Sequence, residues 1–439
     1  MSEASSMPRA ERGIPKFPTN DSRAKDSLPW LATGRHFYEV GQIAGDSTCI
    51  ETTMKGRNGV RLAGLKREAS GGLYRMNEHQ KEGRDMMEAK ETGFGGSLLV
   101  PSVKELVKES PTKVPPRYIR PDQDPSISSS LLSSLPQVPI IDMELLLSEN
   151  NSELEKLHLA CRDWGFFQLI NHKVSCSLIE KVKKEIQEFL ELPMEDKKKY
   201  WQKPGDLEGF GQAFVVSEEQ KLDWGDMFYM ITLPSHLRKP HLFPNLPLPF
   251  RDTLEEYSKE VKNAALETLL FIAKALNMKD EEMKVLFDDG IQMMRMNYYP
   301  PCPEPEQVIG LTPHSDAGGI TFLLQLNQVE GLQIKKNGIW IPVIPLSNAF
   351  IVNIGDILEI VTNGAYKSIE HRAVVNSQNE RLSVATFLSP NLDGDISPAP
   401  SVVASERPPK FKRVTVVDYI KNVFSRELNG KSNIEQYYI

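Results

Sequence analysis

The chain has 439 residues, a formal net charge of −7 and a mean hydropathy of −0.36. With 52 basic against 59 acidic residues and no basic stripe, nothing points to a nucleic-acid partner. No run of about 18 apolar residues is present to cross a bilayer, so the expectation is a soluble, acidic, globular protein.

The four cysteines, Cys49, Cys161, Cys176 and Cys302, form no CxxC pair, which fits a reducing compartment and a cytoplasmic protein. Residues 1–95 are polar, broken by glycines and prolines, and without sustained periodicity, so they are expected to be disordered. There is no basic start followed by an apolar run, and Glu3, Glu11, Asp21 and Asp26 argue against a transit peptide. Ordered chain is expected from Ser102, where Ser102 and Glu105 read as a capping box and Val103, Leu106 and Val107 share a face. Pro111, Pro115 and Pro116 end that helix and begin a stiff connector.

Residues 138–142 read as the first strand. Ser152 with Glu155 predicts the cap of a helix on which Leu154, Leu157, Cys161 and Trp164 recur, and Gly165 stops it. An apolar strand over 166–170 follows, and His172 reads more readily as the cap of a strand end than as a ligand. A second helix carries Leu178, Ile179, Val182, Ile186, Phe189 and Leu190. Lys197, Lys198 and Lys199 read as a solvated turn rather than a phosphate site. Residues 205–249 read as loop, with Trp224, Phe228 and Tyr229 either lining a pocket or anchoring the chain. A long helix over 252–276 presents Leu254, Tyr257, Val261, Ala265, Leu269 and Ala273 to a sheet.

Beyond it, short apolar runs are punctuated by turns: 320–326, 332–334, 339–344, 349–354, 357–361 and 381–388. Each is expected to be a strand, and Lys335-Lys336-Asn337-Gly338 a hairpin turn. This predicts an α+β protein built on a double-stranded β-helix, or jelly roll, with supporting helices outside. Residues 96–270 would form its N-terminal helix-and-strand region, and 271–439 the barrel with a final amphipathic helix around Tyr419, Ile420 and Phe424.

Within the barrel lie His314 and Asp316, and His371 follows 57 positions after the first. Taken alone, His-x-Asp is expected about once by chance at this composition. On an extended segment, however, His314 and Asp316 face one side, and a jelly roll can bring a later strand's histidine beside them. Two imidazoles and a carboxylate hold one face of an octahedral Fe(II) and leave three positions open.

Six motifs, two of which hold the triad itself, occur in fixed order: Asn297-Tyr298-Tyr299-Pro300-Pro301-Cys302, Leu311-Thr312-Pro313-His314-Ser315-Asp316, Asn353-Ile354-Gly355-Asp356, Asn363-Gly364 with Tyr366-Lys367-Ser368, His371-Arg372 and Arg381-Leu382-Ser383. From about Met87 onward the chain resembles the plant 2-oxoglutarate- and Fe(II)-dependent dioxygenases, in the SRG1-like branch that includes alkaloid O-demethylases. Relatives usually begin near Met87, so the resemblance makes residues 1–86 readable as a disordered extension or an upstream gene-model artefact, with a regulatory tail as the second reading.

The resemblance implies His314, Asp316 and His371 as iron ligands and catalytic residues. It implies Arg381, Ser383, Tyr299 and Asn297 around 2-oxoglutarate, and ascorbate as a supporting reductant. Phe387 matches an aromatic that stacks on ring substrates, with a core phenylalanine as the alternative. Arg295 either pairs with a substrate anion or sits on the surface, and Met227 and Tyr229 complete the expected substrate contacts. Met227 and Ser389 depart from residues common in flavonoid-acting relatives. Expected is a monomer that hydroxylates or O-demethylates a small aromatic plant metabolite. A 2-oxoglutarate-independent oxidase of the aminocyclopropanecarboxylate type and a catalytically silent binding protein stand as alternatives.

Overall fold

The computed structural model describes residues 96–109, 112–121, 124, 135–404 and 406–439. The expectation of disorder or a gene-model artefact upstream lies outside them. Runs rich in Ile, Val, Leu and Phe form twelve of its strands: β1 Ile140–Asp142, β2 Phe166–Ile170, β3 Gly209–Gly211, β4 Asp226–Leu233, β5 Ile291–Tyr299, β6 Leu311–His314, β7 Ile320–Gln325, β8 Leu332–Lys336, β9 Ile339–Pro342, β10 Phe350–Ile354, β11 His371–Ala373 and β12 Arg381–Ser389. They pair into an eight-stranded sheet, in the order β1-β2-β10-β7-β12-β5-β4-β3, and a four-stranded sheet, β6-β11-β8-β9. A cavity lies between the two, walled by Asn297, Tyr299 and Arg381 from the larger and by Leu311, Leu332 and His371 from the smaller. This is the jelly roll expected from the run of short strands.

Six helices matter to the site's support: α1 Val103–Glu109, α2 Asn151–Asp163, α3 Cys176–Leu190, α4 Phe250–Ala275, α5 Asp356–Val361 and α6 Val416–Phe424. Helix α4 buries Leu254, Tyr257, Val261, Ala265, Leu269 and Ala273, the stripe its periodicity predicts. Each large side chain on such a stripe contributes about 1.5–3 kcal/mol over solvent exposure. Gly165 ends the turn after α2 at φ +61°, and Asn337 and Gly338 take positive φ in the hairpin between β8 and β9. Cys161 is a small core hydrophobe, as its position on α2 suggests.

Several elements differ from expectation. Residues 356–361 form helix α5, not a strand: all six are buried, so the run carries no alternation to separate the two states. The stretch read as loop contains β3 and all eight residues of β4, which pairs with β5 inside the large sheet. Helix α2 is capped by Asn150, whose side chain accepts from the Glu153 amide at 3.1 Å, rather than by Ser152. At α1 the Ser102 hydroxyl accepts from the Glu105 amide at 3.4 Å, but Asp226 supplies the stronger cap, accepting from Val103 and Lys104 amides at 2.7 and 3.1 Å. The fold engages the chain earlier than Ser102, since Ser97 is buried and accepts from the Val215 amide. Lys197 is buried too, donating to the Leu190 carbonyl, and only its two neighbours are solvated.

Candidate active site

The histidines meet because β6 and β11 are neighbours: His371 lies opposite His314 in the antiparallel register. Their rings stand 4.3 Å apart between centroids. Asp316 sits two residues past the end of β6 rather than on it, and its main-chain oxygen accepts from the Asp356 amide at 2.7 Å. Its Oδ1 lies 3.5 Å from His314 Nε2 and 3.6 Å from His371 Nε2.

The groups behind these atoms decide which way they face. His314 Nδ1 donates to the Thr312 carbonyl at 2.7 Å and His371 Nδ1 to the Ile369 carbonyl at 3.1 Å, which leaves both Nε2 atoms as free lone pairs. Asp316 Oδ2 accepts from Thr321 Oγ1 at 2.6 Å and from Asn353 Nδ2 at 2.8 Å, so Oδ1 alone remains. Burial pushes the His371 imidazole down to about 4, and the adjacent His314 adds to the push. Burial would raise the Asp316 carboxyl, but the two imidazoles and the Asn353 amide outweigh it and hold it well below the usual range. Neutral imidazole and ionised carboxylate are the states a divalent cation needs. All three donors fall within 4.8 Å of one another, which fits a 2-His-1-carboxylate ferrous centre.

The other named residues come together by pleat and register. Side chains two apart share a face, so Tyr299, Asn297, Arg295 and Met293 form one row on β5. Arg381, Ser383, Ala385 and Phe387 lie beside them on β12, and Met227 and Tyr229 on β4. At one end Arg381 is buried, donating to Gln325 Oε1 at 2.9 Å and lying over the Tyr299 ring. Its Nε, and Oδ1 of Asn297, have no partner in the protein although both are buried. A cavity lined at one end by a buried guanidinium fits a dicarboxylate. Ser383 accepts from Asn297 Nδ2 at 3.4 Å within the same wall.

At the other end the row enters a second, more apolar cavity. Met227, Tyr229, Met293, Arg295 and Phe387 line it, with Ser389 at the same end of β12. His314, Asp316, Arg295 and Phe387 border both cavities, so they meet at the triad. Tyr229 donates to the Met293 sulfur at 2.8 Å. Phe387 is half-buried and faces cavity rather than core, and Arg295 is half-buried at the junction rather than on the surface. His172 is not near these groups: its Nε2 donates to the Asn348 carbonyl at 3.1 Å and its ring packs on Phe350.

Motif and spacing assign no role to the groups that orient the triad. Thr321 and Asn353 hold Asp316, and of these only Asn353 lies in one of the ordered motifs. Nor does the sequence place the C-terminal segment. Helix α6 brings Ile420, Val423 and Phe424 to the apolar cavity, where Phe424 stacks on Phe214 at 5.1 Å. The segment then runs beside β6, with the Gly430 amide donating to the Pro313 carbonyl and its carbonyl accepting from Ser315. Lys431 fixes it by donating to buried Glu359 at 2.7 Å.

Comparison with known proteins agrees with this geometry. Residues 290–390 match the 2OG-Fe(II) oxygenase superfamily and 138–246 the "non-haem dioxygenase in morphine synthesis N-terminal" family. Protein SRG1 of Arabidopsis thaliana is 58% identical over 354 residues, 80% of this chain and 99% of that protein. An oxoglutarate-dependent flavonoid 7-O-demethylase of Ocimum basilicum is 55% identical, over 80% of this chain and 94% of its own length. Thebaine 6-O-demethylase of Papaver somniferum is 50% identical, over 81% of this chain and all of its own. The solved structure of JOX2 with 2OG, Fe and JA superposes at a TM-score of 0.71 with 34% identity, covering 77% of this chain and 98% of that one. The chain belongs to the 2-oxoglutarate- and Fe(II)-dependent dioxygenases.

Proposed function

We propose that the enzyme oxidises a small aromatic plant metabolite, by hydroxylation or by O-demethylation, with 2-oxoglutarate converted to succinate and CO2. The reading rests on one arrangement: a polar cavity ending in Arg381 and an apolar cavity floored by Phe387 share a wall at His314 and Asp316. His314, Asp316 and His371 are the proposed ligands of Fe(II). Bound there with 2-oxoglutarate, the ferrous ion would activate O2 for hydrogen abstraction from substrate.

The protein's residues contribute position and electrostatics. Arg381 with Ser383 would hold the distal carboxylate of 2-oxoglutarate, and Tyr299 and Asn297 its flank. Phe387, Met227 and Tyr229 would shape the site for a ring, while Arg295 faces an oxygen or anion on it. The C-terminal segment shields the cavity from water. Electrons balance without another redox partner: O2 takes four, two from decarboxylation and two from the substrate C–H bond. One oxygen atom enters succinate and the other the product. On an O-methyl carbon the product is a hemiacetal, which collapses to the free hydroxyl and formaldehyde. Ascorbate would keep the ion ferrous, and we place the enzyme as a cytoplasmic monomer.

The basil relative named for flavonoids keeps O-methylated flavonoids among the candidates despite Met227 and Ser389. The deciding experiment incubates the purified protein with Fe(II), ascorbate and 2-oxoglutarate against a panel of plant phenolics and alkaloids. One succinate per product is expected. Product without succinate would favour the aminocyclopropanecarboxylate-oxidase type, and no turnover with any of the panel would favour a silent binding protein.

A further inference from the structure

Strand β6 carries His314 at the edge of the small sheet, with β11 as its one ladder partner. That ladder is broken: Ala373 pairs with Leu311 and His371 with His314, so Thr312 and Pro313 face a single residue across the pair. A bulge of this kind re-aims the side chain beside it, but it also leaves a backbone amide outside the ladder. Pro313 has no N–H to contribute. The bulge therefore needs holding from elsewhere.

Gly430 pairs with the backbone at Pro313 and Ser315, and the Thr312 side of the bulge is held by two further segments outside the barrel strands. Asp223, in the loop before β4, accepts from the Thr312 amide at 3.2 Å and from the Thr312 hydroxyl at 2.6 Å through one oxygen. Arg120 reaches the same cluster, donating to Asp223 at 3.0 Å and to Thr312 Oγ1 at 2.8 Å. Both carriers are themselves tied down beside β6, the Arg120 amide to the Gln307 carbonyl and the Trp224 amide to the Ile309 carbonyl, each at 2.7 Å. Thr312 is the residue whose carbonyl takes the His314 Nδ1 proton.

We infer that Arg120 and Asp223 are positioning residues that lock the β6 bulge and so fix the direction of His314 Nε2. The inference rests on His314 being a metal ligand. Groups behind a metal-bound histidine typically change metal affinity 10–100-fold when removed. The test uses the full chain and Mn(II), with the free ion counted by its electron paramagnetic resonance signal. Asp223→Ala is expected to weaken Mn(II) binding roughly 10-fold or more, with a cooperative melting transition retained. Thr312→Val, which keeps the carbonyl but removes the hydroxyl, is expected to weaken it less. Gln220→Ala, which loosens the same loop at Phe214 and Val216 without touching Thr312, should lower the melting temperature and leave Mn(II) affinity alone. Should Asp223→Ala not fold, the isosteric Asp223→Asn carries the test. Folded Asp223 and Thr312 variants that bind Mn(II) within about twofold of the parent chain would overturn the inference. A parent chain that binds no Mn(II) would instead overturn the ligand assignment itself.

Discussion

Arg381 and His172 are both buried, and burial leaves each with an opposite vulnerability. The guanidinium has the proposed role of binding the distal carboxylate of 2-oxoglutarate, and its Nε has no partner in the protein. Arg381→Gln should cost about 1.5–3 kcal/mol of 2-oxoglutarate binding, roughly 10–150-fold in KM for the co-substrate, with kcat affected less. An unchanged KM would remove Arg381 from that role. His172 is held neutral, its pKa lowered by burial, and its Nδ1 has no partner to accept a proton's charge. An unfolded chain would protonate it first, so folding stability contributed by neutral His172 is complete above about pH 6.5 and is lost as pH falls below that value. His172→Gln should flatten that acid limb of a urea-stability profile; a profile that keeps its slope would assign the loss elsewhere. At Gly165 the constraint is steric. A Cβ there would lie 2.2 Å from the Lys367 carbonyl oxygen, and φ is +61°, so Gly165→Ala should cost at least about 2 kcal/mol in chemical denaturation.

Among elements, legibility tracked how far each was decided by its own residues. Helices α3 and α4 announce themselves because one stripe is buried and the rest is wet, and that contrast is written at a period of 3.6. Helix α5 does not, since every residue is enclosed and Asp356 and Glu359 find their partners in distant segments. Strand β4 was hidden by the glycines and prolines around it, although Met227 to Leu233 is apolar and aromatic enough to suggest a strand. The triad and Arg381 could be read because ordered motifs carried them. Their orienting partners outside those motifs could not, because a lone threonine and main-chain carbonyls have no spacing of their own. The C-terminal segment belongs with α5: Lys431→Met would leave fully buried Glu359 with Lys367, Tyr438 and the Ser368 amide. About 2 kcal/mol of stability should go, and limited proteolysis should cut after Phe424 sooner. Equal cleavage rates would mean the lysine does not hold the segment.

For the molecule as a whole, two strands of the small sheet and the loop after one of them converge on a single cation position. Fe(II) and 2-oxoglutarate at about 100 times their dissociation constants should each add about 2.7 kcal/mol to folding. The melting temperature should rise by several degrees and fall back on chelation. His371→Ala is expected to fold yet lose the Fe(II)-dependent rise; a variant that kept it would show that the ion binds elsewhere.

Strand β5 lies between β12 and β4, and its alternate positions run from Tyr299 through Asn297 and Arg295 to Met293. The same nine residues thus carry a reading frame of their own. Substituting position 293 edits only the far end of that frame, where new ring systems would be accommodated. Deleting one residue just after Met293 would turn every later side chain to the opposite face and take Arg295, Asn297 and Tyr299 off the cavity wall. Libraries aimed at new substrates should therefore vary the strand's letters and never its length.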